Sequence, residues 1–353
     1  MSDTEITFSS GDVTLHGSMR IPVSIKGAVP AVLLLAGSGP TDRNGDSALL
    51  PGPIGTLRHL ADVLEDNGFA SLRYDKLGSG TTGLGPYEVE DVADLGFSTF
   101  IDAAADAMAF LARQRGVDST RMYVIGHSEG ALIALALAQD TAQHDSKASG
   151  AAGNESKASG ATGNESKASG ATGNEIDIKG LGLLEPLAVR LLDLLTAQID
   201  AQLDAVVSAR QLPVQIADEL RVALAGAVES LRADGTLSDN LPEPLRNAGL
   251  VSANAKALAE EDALDPRMLA AQVDGNLPVL TTVSSKDIQV RIEDVDALDS
   301  ALVHTRLTSL RMQRTNHVLK DIGDQQSTGS DYVADLPYSQ EFTSGFEKWL
   351  KSL

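Results

Sequence analysis

Near its start the chain alternates apolar and polar side chains on either side of Gly11-Asp12, in EITFSS and VTLHGSMRI. That two-residue period predicts an antiparallel hairpin. AVLLLAG (31–37) is an unbroken apolar run, the signature of a strand covered on both faces. Ile54, Leu57, Leu60, Val63 and Leu64 then recur at helical spacing and predict a helix over about 53–67, stopped by Gly68. The rhythm continues with ASLRYD (70–75) as a strand and a helix over 97–115 that carries Phe100, Ala104, Met108 and Leu111 on one face. MYVIG (122–126) reads as a strand, 131–139 as a helix and IKGLGLLEP (178–186) as a strand. Further on come VLTTVSS (279–285), a short helix near 293–303, the strand RLTSLRM (306–312) and an amphipathic helix over 338–353. Alternation on this scale predicts an α/β fold, a mostly parallel sheet with helices on both faces.

Two stretches break the rhythm. Residues 187–265 show no strand pattern; Leu191, Leu195, Ile199 and Leu203 form one helical stripe, and Ile216, Leu220, Leu224 and Ala227 another. Set between strands, they read as an inserted helical cap, leaving 1–186 and 266–353 as the α/β core. Residues 146–175 are three near-identical decapeptides without a large apolar side chain. Such units cannot bury enough surface to offset their ordering entropy, so a flexible surface loop is expected. A ten-residue period matches no solenoid repeat, and no unit has a hydrophobic face to stack.

Composition narrows the function. The chain has 353 residues, long enough to hide about 75% of its unfolded surface. The absence of cysteine removes disulfides, thiolate catalysis and Cys-ligated metals. Forty-nine acidic against 28 basic side chains give a net charge of -21, which argues against nucleic acid and anionic membrane surfaces as partners. The opening MSDTEITFSSGDVTLHG lacks a signal pattern, and no window holds 18 apolar residues in a row. The expectation is a cytoplasmic globular protein acting on a small molecule. Dimerisation through the apolar helical stripes stays open.

The chemistry concentrates in short motifs. Gly126-His127-Ser128-Glu129-Gly130 is G-x-S-x-G between a buried strand and an Ala-rich helix, the context of a nucleophile elbow. A serine nucleophile needs a base, and six histidines are available: His16, His59, His127, His144, His304 and His317. His317 follows a strand, in the position where α/β sheets place functional groups. The others lie in a hairpin, mid-helix, beside the serine in sequence, at the repeat border or ahead of a strand. Asp287, just beyond the strand ending near Ser285, supplies the acid, with Glu185 after the preceding strand as the alternative. The resulting order, Ser128, Asp287, His317, matches a Ser…Asp…His triad. The glycine-rich segment 37–46 follows a strand, and the Ser38 N–H would pair there with the Glu129 N–H to hold an oxyanion. Two other patterns are decoys. Asp42, Asn44 and Asp46 mimic the start of an EF-hand loop but lack its glycine and its closing Glu. Gly78, Gly80 and Gly83 follow a strand, but no apolar helix opens on them as a dinucleotide fingerprint requires.

With these pieces in place the chain resembles the α/β-hydrolase superfamily, and within it the bacterial carboxylesterases of the serine-aminopeptidase-like and dienelactone-hydrolase-like branch. The resemblance rests on GSGPTDRNGD, RYDKLGSG, GHSEG, KDIQV and NHVLK, in that order between residues 37 and 320. It implies Ser128, Asp287 and His317 as nucleophile, acid and base, Ser38 and Glu129 as oxyanion donors, and acyl transfer to water without metal or other cofactor. The decapeptide array has no counterpart in the family pattern, and the cap is where the resemblance is weakest. Three functions follow. One is hydrolysis of short-chain acyl esters. A second is an aminopeptidase or other amidase, with Glu260, Glu261 or Asp262 anchoring a substrate amine. The third is a small-molecule receptor on the same scaffold, which would have no chemical reason to hold all five site groups.

Overall fold

The computed structural model describes residues 3–23, 25–150 and 176–353. The predicted hairpin forms from β1 (Thr4–Ser10) and β2 (Val13–Arg20), with Ser10 opposite Val13. The remaining strands are β3 (Val29–Leu35), β4 (Ala70–Tyr74), β5 (Val117–His127), β6 (Ile178–Leu184), β7 (Pro278–Ser284) and β8 (Arg306–Met312). They make one eight-stranded sheet in the order β1-β2-β4-β3-β5-β6-β7-β8. β2 pairs antiparallel with both neighbours, whereas every pairing from β4 to β8 is parallel. This is the α/β-hydrolase arrangement.

The helices are α1 (Thr56–Asp66), α2 (Ser98–Ala112), α3 (Glu129–Gly150), α4 (Leu191–Ser208), α5 (Val214–Asp234), α6 (Glu243–Asn247), α7 (Ala255–Ala263), α8 (Pro266–Ala270), α9 (Ile292–Leu302) and α10 (Gln340–Leu350). Successive strand residues point to opposite faces, so the apolar run of β3 feeds two cores. Ala31, Leu33 and Leu35 pack with α2, α3 and α9 on one face; Val32 and Leu34 pack with Leu57, Leu60 and Leu64 of α1 and Phe342, Phe346 and Trp349 of α10 on the other. Each such Leu, Val or Phe contributes about 1.5–3 kcal/mol by leaving water, which is why the central strands lie where they do.

α3 runs further than the periodicity suggests. Residues 139–149 contain no Gly or Pro to stop it, so the helix carries five residues of the decapeptide array before ending at Gly150. The rest of the predicted loop, 151–175, lies outside the described residues.

Between β6 and β7 the chain is helical, as its pattern predicts. α4, α5 and α6 gather around their own apolar cluster of Leu203, Leu220, Leu224, Leu231, Leu245 and Leu250. One predicted position is displaced. Ile216 is exposed, and the buried stripe of α5 runs through Ala217, Leu220, Leu224, Ala227 and Leu231. At about 100° per residue, Ile216 sits one step off that face. No helix among the described residues is long and apolar enough to cross a membrane.

Candidate active site

β3 and β5 are neighbours at the point where the strand order reverses, the place in an open parallel sheet where a crevice forms beyond the carboxyl ends. Both chain segments leaving these ends are shaped for close approach. Ser128 takes a left-handed φ of 56°, sparsely populated for a non-glycine residue. Its N–H donates to the Leu184 carbonyl at 2.9 Å, and its carbonyl accepts from Ala131 N at 3.0 Å and Leu187 N at 3.2 Å. The flanking glycines are sterically required. A Cβ on Gly126 would lie 2.0 Å from the Gly130 carbonyl oxygen, and one on Gly130 would lie 2.5 Å from that of Leu35. The turn therefore presents the Ser128 side chain at the mouth of α3, whose first-turn N–H groups carry the positive end of the helix dipole.

His317 stands in the loop after β8, with its Nδ1 at 2.7 Å from Asp287 Oδ2. Asp287 Oδ1 accepts from Gln289 N at 2.6 Å and Val290 N at 3.0 Å, so both carboxyl oxygens are engaged. Burial opposes the charge of Asp287, but the His317 ring, the Glu185 carboxyl and the Gln289 N–H together hold it below the usual carboxylate range. An ionised carboxylate only accepts, so the His317 proton sits on Nδ1 and Nε2 is left free to act as a base.

Ser128 and His317 line one cavity of about 520 Å³ with Ser38, Leu50, Ile54 and Tyr332. No hydrogen bond joins the Ser128 hydroxyl to His317 among the described residues. Such contacts are often long without substrate and tighten when it binds. Neither the Ser38 nor the Glu129 backbone N–H has an acceptor among the described residues; Ser38 lies in the loop after β3 and lines the cavity with Ser128, and Glu129 opens α3 directly after it. The five residues singled out from sequence thus meet at one end of the sheet. Among the described residues no group of three or more His, Asp or Glu is gathered as a metal site.

The other candidates fall into supporting places. His16 lies within β2, His59 stacks on Tyr338 with centroids 3.8 Å apart, and His304 Nε2 contacts the Val273 carbonyl at 2.8 Å. The side chain of His144 lies outside the described residues. Asp42 and Asp46 are spent on their own loop: Asp42 accepts from Asn44 N and Asp46 N, and Asp46 from Ile54 N and Gly55 N. Of the three acidic residues on α7, Glu260 accepts from Ser98 and Asp262 from Leu192 N, Arg190 and Arg232. Glu261 is buried with Oε1 unpartnered, beside a second cavity of about 370 Å³ that Lys76 and Glu129 also line.

Three groups escape a reading by spacing alone. Lys76 Nζ donates to the Gly37 carbonyl at 2.6 Å and to Glu129 Oε1 at 2.9 Å, tying the loop that carries Ser38 to the start of α3. Its signal was its place directly after β4, within the RYDKLGSG motif. His127 Nε2 donates to the His317 carbonyl at 2.8 Å. Burial first, and the His317 ring second, push its pKa down to about 3, so it stays neutral. The third is Glu185, fully buried at the end of β6 with a left-handed φ of 43°. Its backbone N–H donates to Thr282, and its Oε2 accepts from Ser284 N at 3.2 Å.

The comparisons with known proteins bear on the fold. The family described as serine aminopeptidase, S33, matches residues 53–153, the stretch that holds the elbow. No curated protein matches the chain in sequence. Among solved structures, the esterase Pf2001 of Pyrococcus furiosus superposes with a TM-score of 0.56 at 15% identity, covering 99% of this chain and 91% of that one. Est1E from Butyrivibrio proteoclasticus gives 0.52 at 12% identity over 99% and 98%. A dienelactone hydrolase-like promiscuous phosphotriesterase from metagenomic libraries gives 0.50 at 13% over 100% and 98%. The sheet order, the elbow between β5 and α3 and these likenesses together show an α/β-hydrolase fold, with a stretch around the elbow similar to the serine aminopeptidase family.

Proposed function

We propose that the protein is a serine hydrolase that cleaves short-chain acyl esters through an acyl-serine intermediate. The observation that carries this reading is the 2.7 Å contact between His317 Nδ1 and Asp287, which leaves Nε2 as base in the cavity that holds Ser128. In the first step the Ser128 hydroxyl gives its proton to His317 Nε2 and its oxygen bonds to the substrate carbonyl carbon. The Ser38 and Glu129 N–H groups hold the oxyanion. The C–O bond to the leaving group breaks, and the alcohol departs with the proton from His317. Water then repeats the sequence against the acyl-serine, releasing the acid and restoring Ser128.

Residues 187–265 act in this reading as a cap over the α/β core of 1–186 and 266–353. The cavity of about 520 Å³ lies within the range of small-molecule sites. The net charge of -21 disfavours docking on anionic lipid. Small soluble esters are therefore the substrate class. A chain-length series of p-nitrophenyl esters from acetate to palmitate tests it. The rate should peak at short chains without a jump above the solubility limit. A maximum at long chains would point to a lipase, and absence of fluorophosphonate labelling at Ser128 would remove the serine mechanism.

One observation favours an amidase instead. Glu261, whose Oε1 makes no hydrogen bond, lines the second cavity with Glu129 and Lys76; burial and the Glu129 charge raise its pKa well above the carboxylate range, and a substrate amine entering there would supply the positive charge that favours its ionised form. Relative rates on acyl esters and aminoacyl amides separate the two readings.

A further inference from the structure

The proposed mechanism leaves one buried acid beside its machinery without a task. Glu185 has no exposed surface, follows β6 in a left-handed conformation, and is tied to the Asp287 loop through Ser284, whose N–H donates to Glu185 Oε2 and whose carbonyl accepts from Asp287 N at 3.2 Å. Holding a glutamate in that backbone region costs on the order of 1–3 kcal/mol, which persists only where surrounding contacts over-determine it. Here they do. Its N–H bonds to the Oγ1 and carbonyl of Thr282, and its Oε2 accepts from Ser284 N at 3.2 Å. The remaining oxygen, Oε1, is buried and has no donor to accept from.

An oxygen with no donor, next to a second carboxylate, is explained if it carries a proton itself. Two adjoining buried carboxyls cannot both ionise. Asp287 keeps its charge because it already accepts from Gln289 N, Val290 N and the His317 ring, whereas Glu185 accepts a single backbone N–H. The other charged group facing Glu185 is Arg311, whose Nε and Nη2 are engaged by Asp296 and Asp299 and whose buried Nη1 makes no hydrogen bond, to Glu185 Oε1 or to any other acceptor among the described residues. The ring of His127 is neutral and bonds away from it, to the His317 carbonyl. Burial, followed by the Asp287 charge, raises the Glu185 pKa well above the ordinary carboxylate range, in keeping with that assignment.

We infer that Glu185 is a positioning residue: a neutral carboxylic acid whose O–H donates to Asp287 and thereby fixes the carboxylate that orients His317. The inference rests on the triad reading above. It replaces the sequence expectation of Glu185 as an alternative triad acid with a different role, one shell behind Asp287. The donated hydrogen bond also withdraws charge from Asp287 and so moderates the pull of Asp287 on the imidazolium.

The test compares Glu185→Gln with Glu185→Leu. The Gln amide can still donate to Asp287 and accept from Ser284 N, and it is neutral at every pH. Leu fills the space and donates nothing. Glu185→Leu should lose ~10- to 100-fold in kcat with little change in KM, the scale of a lost supporting contact. The acidic limb of its kcat/KM profile should move to higher pH, because an undiluted Asp287 charge stabilises protonated His317. Glu185→Gln should recover most of kcat and keep the limb in place. Equal losses in the two variants, or a Leu variant with wild-type kcat and limb, would overturn the inference.

Should the Leu variant fail to fold, thermal stability decides. The folded-state pKa of Glu185 is raised, so above the ordinary carboxylate range the unfolded chain has lost this proton and the native one retains it. Wild-type stability should therefore fall relative to Glu185→Gln as pH rises from about 4.5 toward neutrality. A pH-independent difference between their melting temperatures would refute a protonated Glu185. Fluorophosphonate labelling of wild-type Ser128, run first, tests the triad reading separately, and the melting comparison does not depend on activity.

Discussion

The loops at the carboxyl ends of β3, β5, β7 and β8 differ in kind from the helical insertion between β6 and β7. In the loops, polar groups are buried and each is held by several partners: Arg43 by Asp75 and Glu5, Lys76 by Gly37 and Glu129, Asp287 by two N–H groups and a ring. The insertion is organised chiefly by an apolar cluster, with a buried carboxylate, Asp262, held by Leu192 N, Arg190 and Arg232, and with exposed ion pairs outside, such as Arg221 with Asp200, Asp204 and Asp218. Exposed pairs of that kind are worth about 0–1 kcal/mol each. Polar links from the insertion to the rest of the chain are few and include Gln198 to the Gln289 carbonyl, Lys256 to the Asp94 carbonyl and Glu260 to Ser98. A region locked by over-determined polar contacts can fix reaction geometry. The cavity that holds Ser128 is lined by the loops and the start of α1 alone, whereas the insertion borders the second cavity, beside Lys76 and Glu129, through Ala257, Leu258 and Glu261. The two regions thus meet the site through different cavities.

Several measurements can break that division. The largest effect belongs to the loops. Ser128→Ala should lower kcat on a p-nitrophenyl ester by at least ~10⁴-fold, while the melting temperature stays near wild type. Residual wild-type turnover would place the nucleophile elsewhere. Next comes the elbow backbone. Gly126→Ala puts a methyl 2.0 Å from the Gly130 carbonyl oxygen and should cost at least about 1–3 kcal/mol, together with activity, because no flexible side chain can yield there.

Leu224→Ala addresses the insertion from within. It should destabilise by about 2–5 kcal/mol. If the two regions are separable, substrate preference will shift more than the kcat for acetate; a matching collapse of acetate turnover would show that the insertion also sets the triad.

The pH response of His127 sharpens the picture further. Its folded pKa of about 3 lies below the unfolded 6.5, so between those values the unfolded chain gains a proton that the native one refuses. Stability should fall as pH drops through this window, at up to about 1.4 kcal/mol per pH unit, and His127→Asn should lose that slope. Parallel melting curves for the two proteins from pH 7 to 4 would contradict the assignment. The smallest effect is expected at Val222, which is 75% exposed on α5: Val222→Lys should stay within about 0.5 kcal/mol of wild type.

Much of this was written along the chain itself. The apolar run at 31–37, the β5–elbow–α3 sequence and the order of Ser128, Asp287 and His317 are local patterns, and local patterns survive in one dimension because periodicity and glycine placement are short-range requirements. Even the boundaries of β8 follow from seven residues of sequence. The tertiary structure alone decided the rest. The buried face of α5 depended on which neighbours α4 and α6 presented, which is why Ala217 and not Ile216 turned inward. Lys76 reaches Gly37 and Glu129 across 39 and 53 positions of chain, and His127 meets the carbonyl of His317 across 190. Glu185 and Asp287 follow different strands, and only the parallel pairing of β6 with β7 brings them to the same end of the sheet, joined through Ser284. The protonation of a buried acid depends on the desolvation and the charges around it. Those are properties of three-dimensional proximity, which no spacing along the chain encodes.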